Sequence, residues 1–302
     1  MTKRNRKLEK HHKMKGDGAM QVVSGIILLF VLIVVGYPVV YVISASFSSA
    51  NALSSGQVLL WPVNTTLEGY KFVLQYEDVW RGFRNSIVYT GIGVVLAMLM
   101  TIFTAYPLSR PDLPGRKFLT KLLLISSMFS AGLIPRFLIV SKLGWVGNPI
   151  AVVTSGLIGV QSVIILRNAF SSIPQDLYDA ALMDGAHDFL VLRHVCMPLV
   201  KASMSVLILF SLVGCWNEYF DSLIFLRDDQ LWPLQLVLRQ ILIGTENLSS
   251  SMSAAAQQAI AQTNAEQVKY VLIIVATVPL LAAYAVVQKQ FKSGMLMGAV
   301  KG

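Results

Sequence analysis

The sequence predicts an all-α integral membrane protein of six transmembrane helices with both termini in the cytoplasm. Three observations predict it. Of the 302 residues 55% are hydrophobic and only 14% are charged, a balance foreign to a soluble core. The apolar stretches, near residues 22 to 46, 86 to 108, 122 to 141, 149 to 166, 202 to 226 and 270 to 287, approach the ~20 residues that cross a bilayer core. The basic residues also alternate from one side of these stretches to the other, with 17 of the 25 Lys and Arg, but only seven of the 16 acids, falling on the side assigned to the cytoplasm.

Helices follow because each satisfies its own backbone where no water can. The net charge of +9 is then a topology signal, and nucleic-acid binding is a poor explanation of it. Residues 1 to 20 form a basic cytoplasmic tail, attracted to anionic headgroups, and residues 21 to 302 form the six-helix domain. The first apolar stretch is too long for the core of a cleaved signal peptide and reads as a retained anchor.

Residues 47 to 84 read as a long outer loop whose aromatics, including Trp61, Tyr70, Tyr76 and Trp80, suit interfacial anchoring better than a sugar face. The second span ends in Ala105-Tyr106-Pro107-Leu108-Ser109-Arg110, and Pro111 and Pro114-Gly115 close a short cytoplasmic turn. Gly132 and Pro135 interrupt the third span, and the fourth begins at Asn148-Pro149. Beyond the fifth, Gln235 and Arg239 lie on one face of an apolar stretch from Leu231 to Ile243, the pattern of a helix on the membrane surface or capping a bundle. Residues 244 to 268 are polar, and the sixth span leads to the C-terminus.

The chemistry is defined by what the chain lacks. It has no Gly-rich Lys-Ser/Thr phosphate loop, and its second, fourth and sixth spans carry no central ionisable residue of the kind proton-coupled carriers use. Cys196, Cys215 and the four histidines form no metal-ligand, redox-pair or nucleophile set. An intramembrane enzyme is therefore disfavoured, and energy is expected to arrive through a protein contact. Residues 173 to 198 suit that contact. Pro174 starts a short helix, and Asp176 and Asp179 favour its N-terminal dipole. Ala180 and Ala181 provide a low-profile face. Gly185 permits a positive φ, with Asp184 able to hold the turn by side-chain hydrogen bonds. Pro198 marks the start of the next membrane helix.

Asp179-Ala180-Ala181, Leu182-Met183, Asp184-Gly185-Ala186 and the later Pro198 resemble the Glu-Ala-Ala loop of ATP-binding-cassette importer permeases. Asp179 stands where Glu is usual, keeping the charge and shortening the reach, and Leu192 stands where an aromatic is common. Phe83-Arg84-Asn85-Ser86, Gly132-Leu133-Ile134-Pro135 and Trp216-Asn217-Glu218-Tyr219 resemble the carbohydrate-uptake branch. Gln288-Lys289-Gln290-Phe291 with Gly294, Gly298 and Lys301-Gly302 resembles its second, MalG-like permease subunit, in the LplC/YtcP-like group.

The resemblance implies a type I ABC importer permease fold and a non-enzymatic subunit of a bacterial plasma-membrane oligosaccharide importer. It implies four kinds of partner: a homologous permease, two ATPase subunits that hold ATP and Mg, an extracellular sugar-binding lipoprotein and the surrounding lipid. No cofactor or metal is expected on this chain. By the same resemblance Asp179, Ala180, Ala181, Asp184, Gly185 and Ala186 couple ATPase closure to helix rotation.

The translocation path is read from the residues. Asn217, Glu218 and Asp221 lie late in the fifth span, with the two acids three apart and so on one helical face. Acids at membrane depth face a cavity, a partner or the interface. Trp216 and Tyr219 could stack on sugar rings, and Arg136 could help pass a uronate-bearing sugar. The alternative is that these residues pack against the partner permease or that the acids pair with Arg136. A permease for a non-sugar solute, or a stand-alone carrier or channel, is the rival reading.

Overall fold

The computed structural model describes residues 17–129, 131–246 and 265–298. All regular structure among them is helical. Contacts divide the chain into two units, Met1–Val73 with Ser253–Ile274, and Leu74–Met252 with Val275–Gly302. Most of the basic tail and the last four residues lie outside the described residues, as does most of the polar stretch from 244 to 268.

In the first unit, α1 (Asp17–Phe47) presents an almost unbroken apolar surface to its surroundings from Met20 to Val40. Its last turn changes character. Ser44, Ser46 and Ser48 are buried; the Ser46 hydroxyl meets that of Tyr70 at 2.9 Å, and Ser48 Oγ accepts from the Val63 amide at 3.1 Å. Gln267 donates its amide to the carbonyls of Ser46 and Thr66, so the loop after α1 is tied down through backbone groups that would otherwise go unpaired. The expected long loop is partly helical: α2 (Ala50–Ser54) and α3 (Glu68–Gln75) lie within it.

In the second unit, α4 (Glu77–Ser109) starts nine residues before the expected second span. Glu77 and Asp78 in its first turn complement the helix dipole, and hydropathy alone misses them. The third expected span is two helices, α5 (Arg116–Met128) and α6 (Leu133–Lys142), sharply bent where Gly132 takes φ +74°. The fourth is also broken. α7 (Ile150–Val153) ends before Gly156, which takes φ +70°, and α8 (Val160–Ser171) resumes beyond it. After α9 (Gln175–Met183), α10 (Asp188–Leu199) contains a π-helical turn at Leu192–Cys196 and meets α11 (Lys201–Trp216) at 84°. The helix expected to start at Pro198 begins at Lys201, three residues later.

The fifth expected span breaks too: α11 stops at Trp216, and α12 (Phe220–Phe225) is separate. α13 (Leu234–Glu246) and α14 (Ala265–Gly298) follow. Three described helices are long and apolar enough to cross a membrane unbroken, or up to five if each bent pair is one span.

α4 is the axis of this unit, lying against α8, α11 and α13. Its core contacts centre on Met98, Ile102 and Tyr106, with Leu166 and Phe170 of α8 and Leu207 of α11. α13 comes close at Gly82, where a Cβ would stand 3.0 Å from Val237 Cγ2 and 3.1 Å from Leu234 Cα. Side chains of α4 also take up the polar backbone that leads into α13. Asn85 donates to the carbonyls of Gln230 and Trp232, Tyr89 to that of Leu231, and Ser86 Oγ accepts from the Leu234 amide. The stretch expected on the membrane surface or over the bundle thus buries Leu234, Leu236, Val237, Leu238 and Ile241.

Candidate coupling segment and translocation face

The coupling segment is organised by Tyr178, the buried residue of α9. Its hydroxyl donates to the Phe170 carbonyl at 3.3 Å, and the Arg110 guanidinium lies 4.1 Å above its ring, a contact worth about 0.5 to 2 kcal/mol. Tyr106 meets Phe170 edge-on at 5.6 Å and donates to the Asp188 carbonyl. Burial, then the hydrogen bond with Cys196, pushes the Tyr178 hydroxyl well above the usual tyrosine range. The Cys196 thiol is likewise pushed up by burial. One side of α9 is therefore clamped by an aromatic and thiol cluster under the Arg110 guanidinium, and the other stays outside.

Asp176, Asp179, Ala180 and Met183 are on that outer side, with Met183 87% exposed. Gln175 donates to Asp179 Oδ1 at 3.2 Å. Two sequence expectations are corrected here. Ala180 and Ala181 do not share a face: successive helical residues turn by about 100°, so Ala180 is exposed while Ala181 packs inward on the core. Nor does the Asp184 side chain hold the turn. Backbone bonds close it, Ala186 N–H to Ala181 O and Gly185 N–H to Leu182 O, both 3.0 Å, with Gly185 at φ +80°. This is a Schellman motif, which requires the left-handed residue that glycine supplies. Nothing lies within 4 Å of where a Gly185 Cβ would sit, so the constraint there is conformational.

The residues chosen for the translocation path separate into two groups. Trp216 is 5% exposed, donates its indole N–H to Ala276 O at 3.0 Å and meets Phe83 edge-on at 5.9 Å, which commits its ring to internal packing. Asp221 is 4% exposed and is bonded by both Arg136 and Ser155, and Arg136 also donates to Ser155. This ion pair joins three helix breaks: Arg136 follows the α5–α6 bend, Ser155 lies in the α7–α8 gap, and Asp221 follows the end of α11. Arg136 is thus neutralised, which removes the free cation that the uronate reading needs.

Glu218 and Asp221 do not share a helical face, because the helix between them is broken. Instead Glu218 Oε1, one residue ahead of the N-cap Tyr219, accepts the Asp221 amide at 2.8 Å and so pairs one of the free N–H groups in the first turn of α12.

The second group keeps an open side. Asn217 is exposed and within 3.4 Å of the Gln235 amide, and Tyr219 is 39% exposed beneath the Arg239 guanidinium. Glu218 lines a cavity of about 270 Å³ with Tyr89, Ser155, Ser211 and the small residues Gly93 and Gly214. A Cβ at Gly93 would stand 3.2 Å from Cys215 Sγ. A carboxylate among hydroxyls in a narrow cavity is suited to polyhydroxylated solutes. Ser155 and Tyr178 were not singled out by their sequence context, while Arg110 was read only as the end of the second span and Cys196 only as a lone thiol. For Tyr178 the available signal was the one aromatic of a short amphipathic helix.

Residues 82–297 match the protein family described as the binding-protein-dependent transport system inner membrane component. Among curated proteins, the chain is 34% identical over 280 residues, 93% of its length and 97% of the relative's, to the polygalacturonan/rhamnogalacturonan transport system permease protein YtcP of Bacillus subtilis strain 168. It is also 34% identical over 265 residues, 88% of its length and 89% of the relative's, to protein LplC of the same organism. Among solved structures, a chain of a bacterial ABC transporter involved in the import of the acidic polysaccharide alginate matches with a TM-score of 0.82 and 30% identity, over 92% of this chain and 98% of that one.

Proposed function

Because the chain belongs to the family of binding-protein-dependent transport system inner membrane components, we propose that it is a permease subunit of an ATP-driven importer of acidic oligosaccharides. It crosses the bacterial plasma membrane six times, with both termini inside, the broken helices counting as single spans. A homologous permease completes the passage. Two ATPase subunits hold the ATP and Mg, and an extracellular binding lipoprotein delivers the sugar. The observation that carries the cargo reading is that whole-length relatives are described by polygalacturonan, rhamnogalacturonan and alginate.

α9 is the coupling helix. Asp179 and Ala180 on its outer side meet the ATPase, and Tyr178 under Arg110 passes the displacement to α4 and α8. Asp184, Gly185 and Ala186 fix the angle at which the finger leaves the bundle, and Ala181 seats it on the core. ATPase closure moves this finger, and the passage opens alternately to either side. Asn217, Glu218 and Tyr219 face the moving sugar. Trp216, Asp221 and Arg136 hold the wall behind them.

The test is uptake of labelled oligogalacturonate and of a neutral oligosaccharide of equal length, by the whole complex in proteoliposomes. Wild type should import the first in preference. Equal uptake of both would remove the acidic cargo from the reading. Gly185→Val should abolish uptake and ATPase stimulation by the loaded binding protein while the subunit still inserts, because a β-branched residue does not adopt φ +80° without strain. Full transport by that variant would sink the assignment of α9.

A further inference from the structure

A second cavity, of about 760 Å³, lies beside the turn that joins α4 to α5. Arg116, Lys117, Thr120 and Lys121 line it from α5, and Arg167 from α8. Arg167 donates its Nε–H to Leu108 O at 3.1 Å, which fixes the guanidinium against the end of α4. Neither ion pair found among the described residues involves any of these cations. Asp112, the acid of the same turn, lines a different cavity together with Asp188.

Two features of this place call for an anion. The first is electrostatic. α5 begins after Gly115 with no side-chain cap and no acid in its first turn, yet Arg116, Lys117 and Lys121 all stand near its N-terminus. Unpaired N–H groups already give that end of a helix a partial positive charge, so Arg116 and Lys117 in the first turn, with Lys121 one turn on, are opposed by it unless a negative group is present. The second is a hydrogen-bonding deficit. Thr120 Oγ1 is sealed from solvent without a partner, although buried hydroxyls are nearly always bonded. The tendency of basic residues to stay on the cytoplasmic side explains their sign. It does not explain why charges from two helices converge on one cavity whose wall includes Thr120, with its hydroxyl unsatisfied.

We propose that this cavity is a phosphate site, filled by the phosphodiester headgroup of an anionic phospholipid. Lys117 and Lys121, four apart on one face, supply the compact charges, and Arg167 approaches from the other wall. Apolar side chains of the same helix favour a lipid over free phosphate. Phe118 lines the cavity and is 68% exposed, and Leu122 is 52% exposed, so an acyl chain has a surface to follow. The assignment to the inner leaflet rests on the topology proposed above; the phosphate chemistry does not.

The whole importer complex, held in nanodiscs of phosphatidylcholine with a minor share of phosphatidylglycerol, tests this by native mass spectrometry of retained lipid. Lys117→Gln with Lys121→Gln should lower retained phosphatidylglycerol about tenfold. Lys142→Gln with Arg227→Gln, which removes equal charge elsewhere, should leave it unchanged. Thr120→Val keeps every charge, and with it the topology signal, and should lower retention about twofold. Millimolar inorganic phosphate should not release the lipid. Wild-type retention in the double lysine variant overturns the proposal, as does release by inorganic phosphate, which would mark a free-anion site. If the double variant does not assemble, undiminished retention by Thr120→Val overturns it. Uptake is scored separately, so failure of the transport reading leaves the lipid result interpretable.

Discussion

Asp176, Asp179 and Asp184 in the coupling segment stand in the open, whereas Asp221, beyond the end of α11, is 4% exposed and bonded to Arg136 and Ser155. The same side chain is a surface in one region and a strut in the other. What differs is the support around it. α9 buries an aromatic and leaves its acids out, while the breaks beside α6, α7 and α11 bury the Asp221 carboxylate under a part-exposed Arg136. An exposed carboxylate contributes at most about 1 kcal/mol to the fold through ion pairing, so it is free to serve a partner. A buried one cannot be removed alone without leaving its counter-ion uncompensated.

Asp221→Ala is the largest expected break in this contrast. Leaving Ser155 and the Arg136 guanidinium without their shared acceptor should cost about 1.5 to 3 kcal/mol, less than for a fully buried pair because the Arg136 side chain is 40% exposed to solvent, read as a lower melting temperature of the purified complex. Adding Arg136→Leu should recover most of the loss; a double variant as unstable as the single would mean that the pair is not the strut. Gly82→Ala comes next, at about 1 to 3 kcal/mol, since its Cβ would press on Val237 and on the Leu234 backbone. An unchanged melting temperature there would show that α13 is loosely seated.

Tyr178→Phe deletes one hydrogen bond from the clamp and should cost about 1 kcal/mol while preserving uptake. Tyrosine titrates near 10.0 when exposed, and burial raises Tyr178 above that. The fold therefore keeps the protonated form. Stability from this residue should be flat across neutral pH and fall only as pH climbs past the ordinary value. A loss of coupling between pH 6 and 8 that Tyr178→Phe removed would contradict this account.

The smallest effect on the fold is expected from Asp179→Ala, within about 0.5 kcal/mol, because its side chain is exposed. The same variant should weaken stimulation of the ATPase. A change in melting temperature comparable to that of Asp221→Ala would erase the distinction between the two regions.

The coupling segment was legible in the sequence because its information is local. Prolines, acids and glycine within 26 residues state a helix, a turn and an exposed face, and the structure differs mainly in which atoms close the turn. The region after α11 was much less legible. Placing Glu218 and Asp221 on one face assumes a continuous helix, and nothing in the apolar run announces that it ends at Trp216. Ser155 lies 66 residues from Asp221, and Arg136 lies 85 away. Pairing with Arg136 was open as an alternative, but the shared serine was not foreseeable from spacing. Gly132 marked a possible break, yet bundle packing explains glycine in a span equally well, and Gly156, at the other break, carried no signal of its own.

The contacts between α4 and the chain ahead of α13 also bear on how the protein is made. Asn85, Ser86 and Tyr89 find their partners 142 to 148 residues later in the chain. During synthesis α4 therefore enters the bilayer with these groups unmatched, and they stay so until residues 230 to 234 have emerged. Closure is a late event, one that a truncated chain ending before Gln230 cannot reach. Such a nascent chain carries three more polar side chains, unmatched, on the end of α4 that already holds Glu77, Asp78, Arg81 and Arg84.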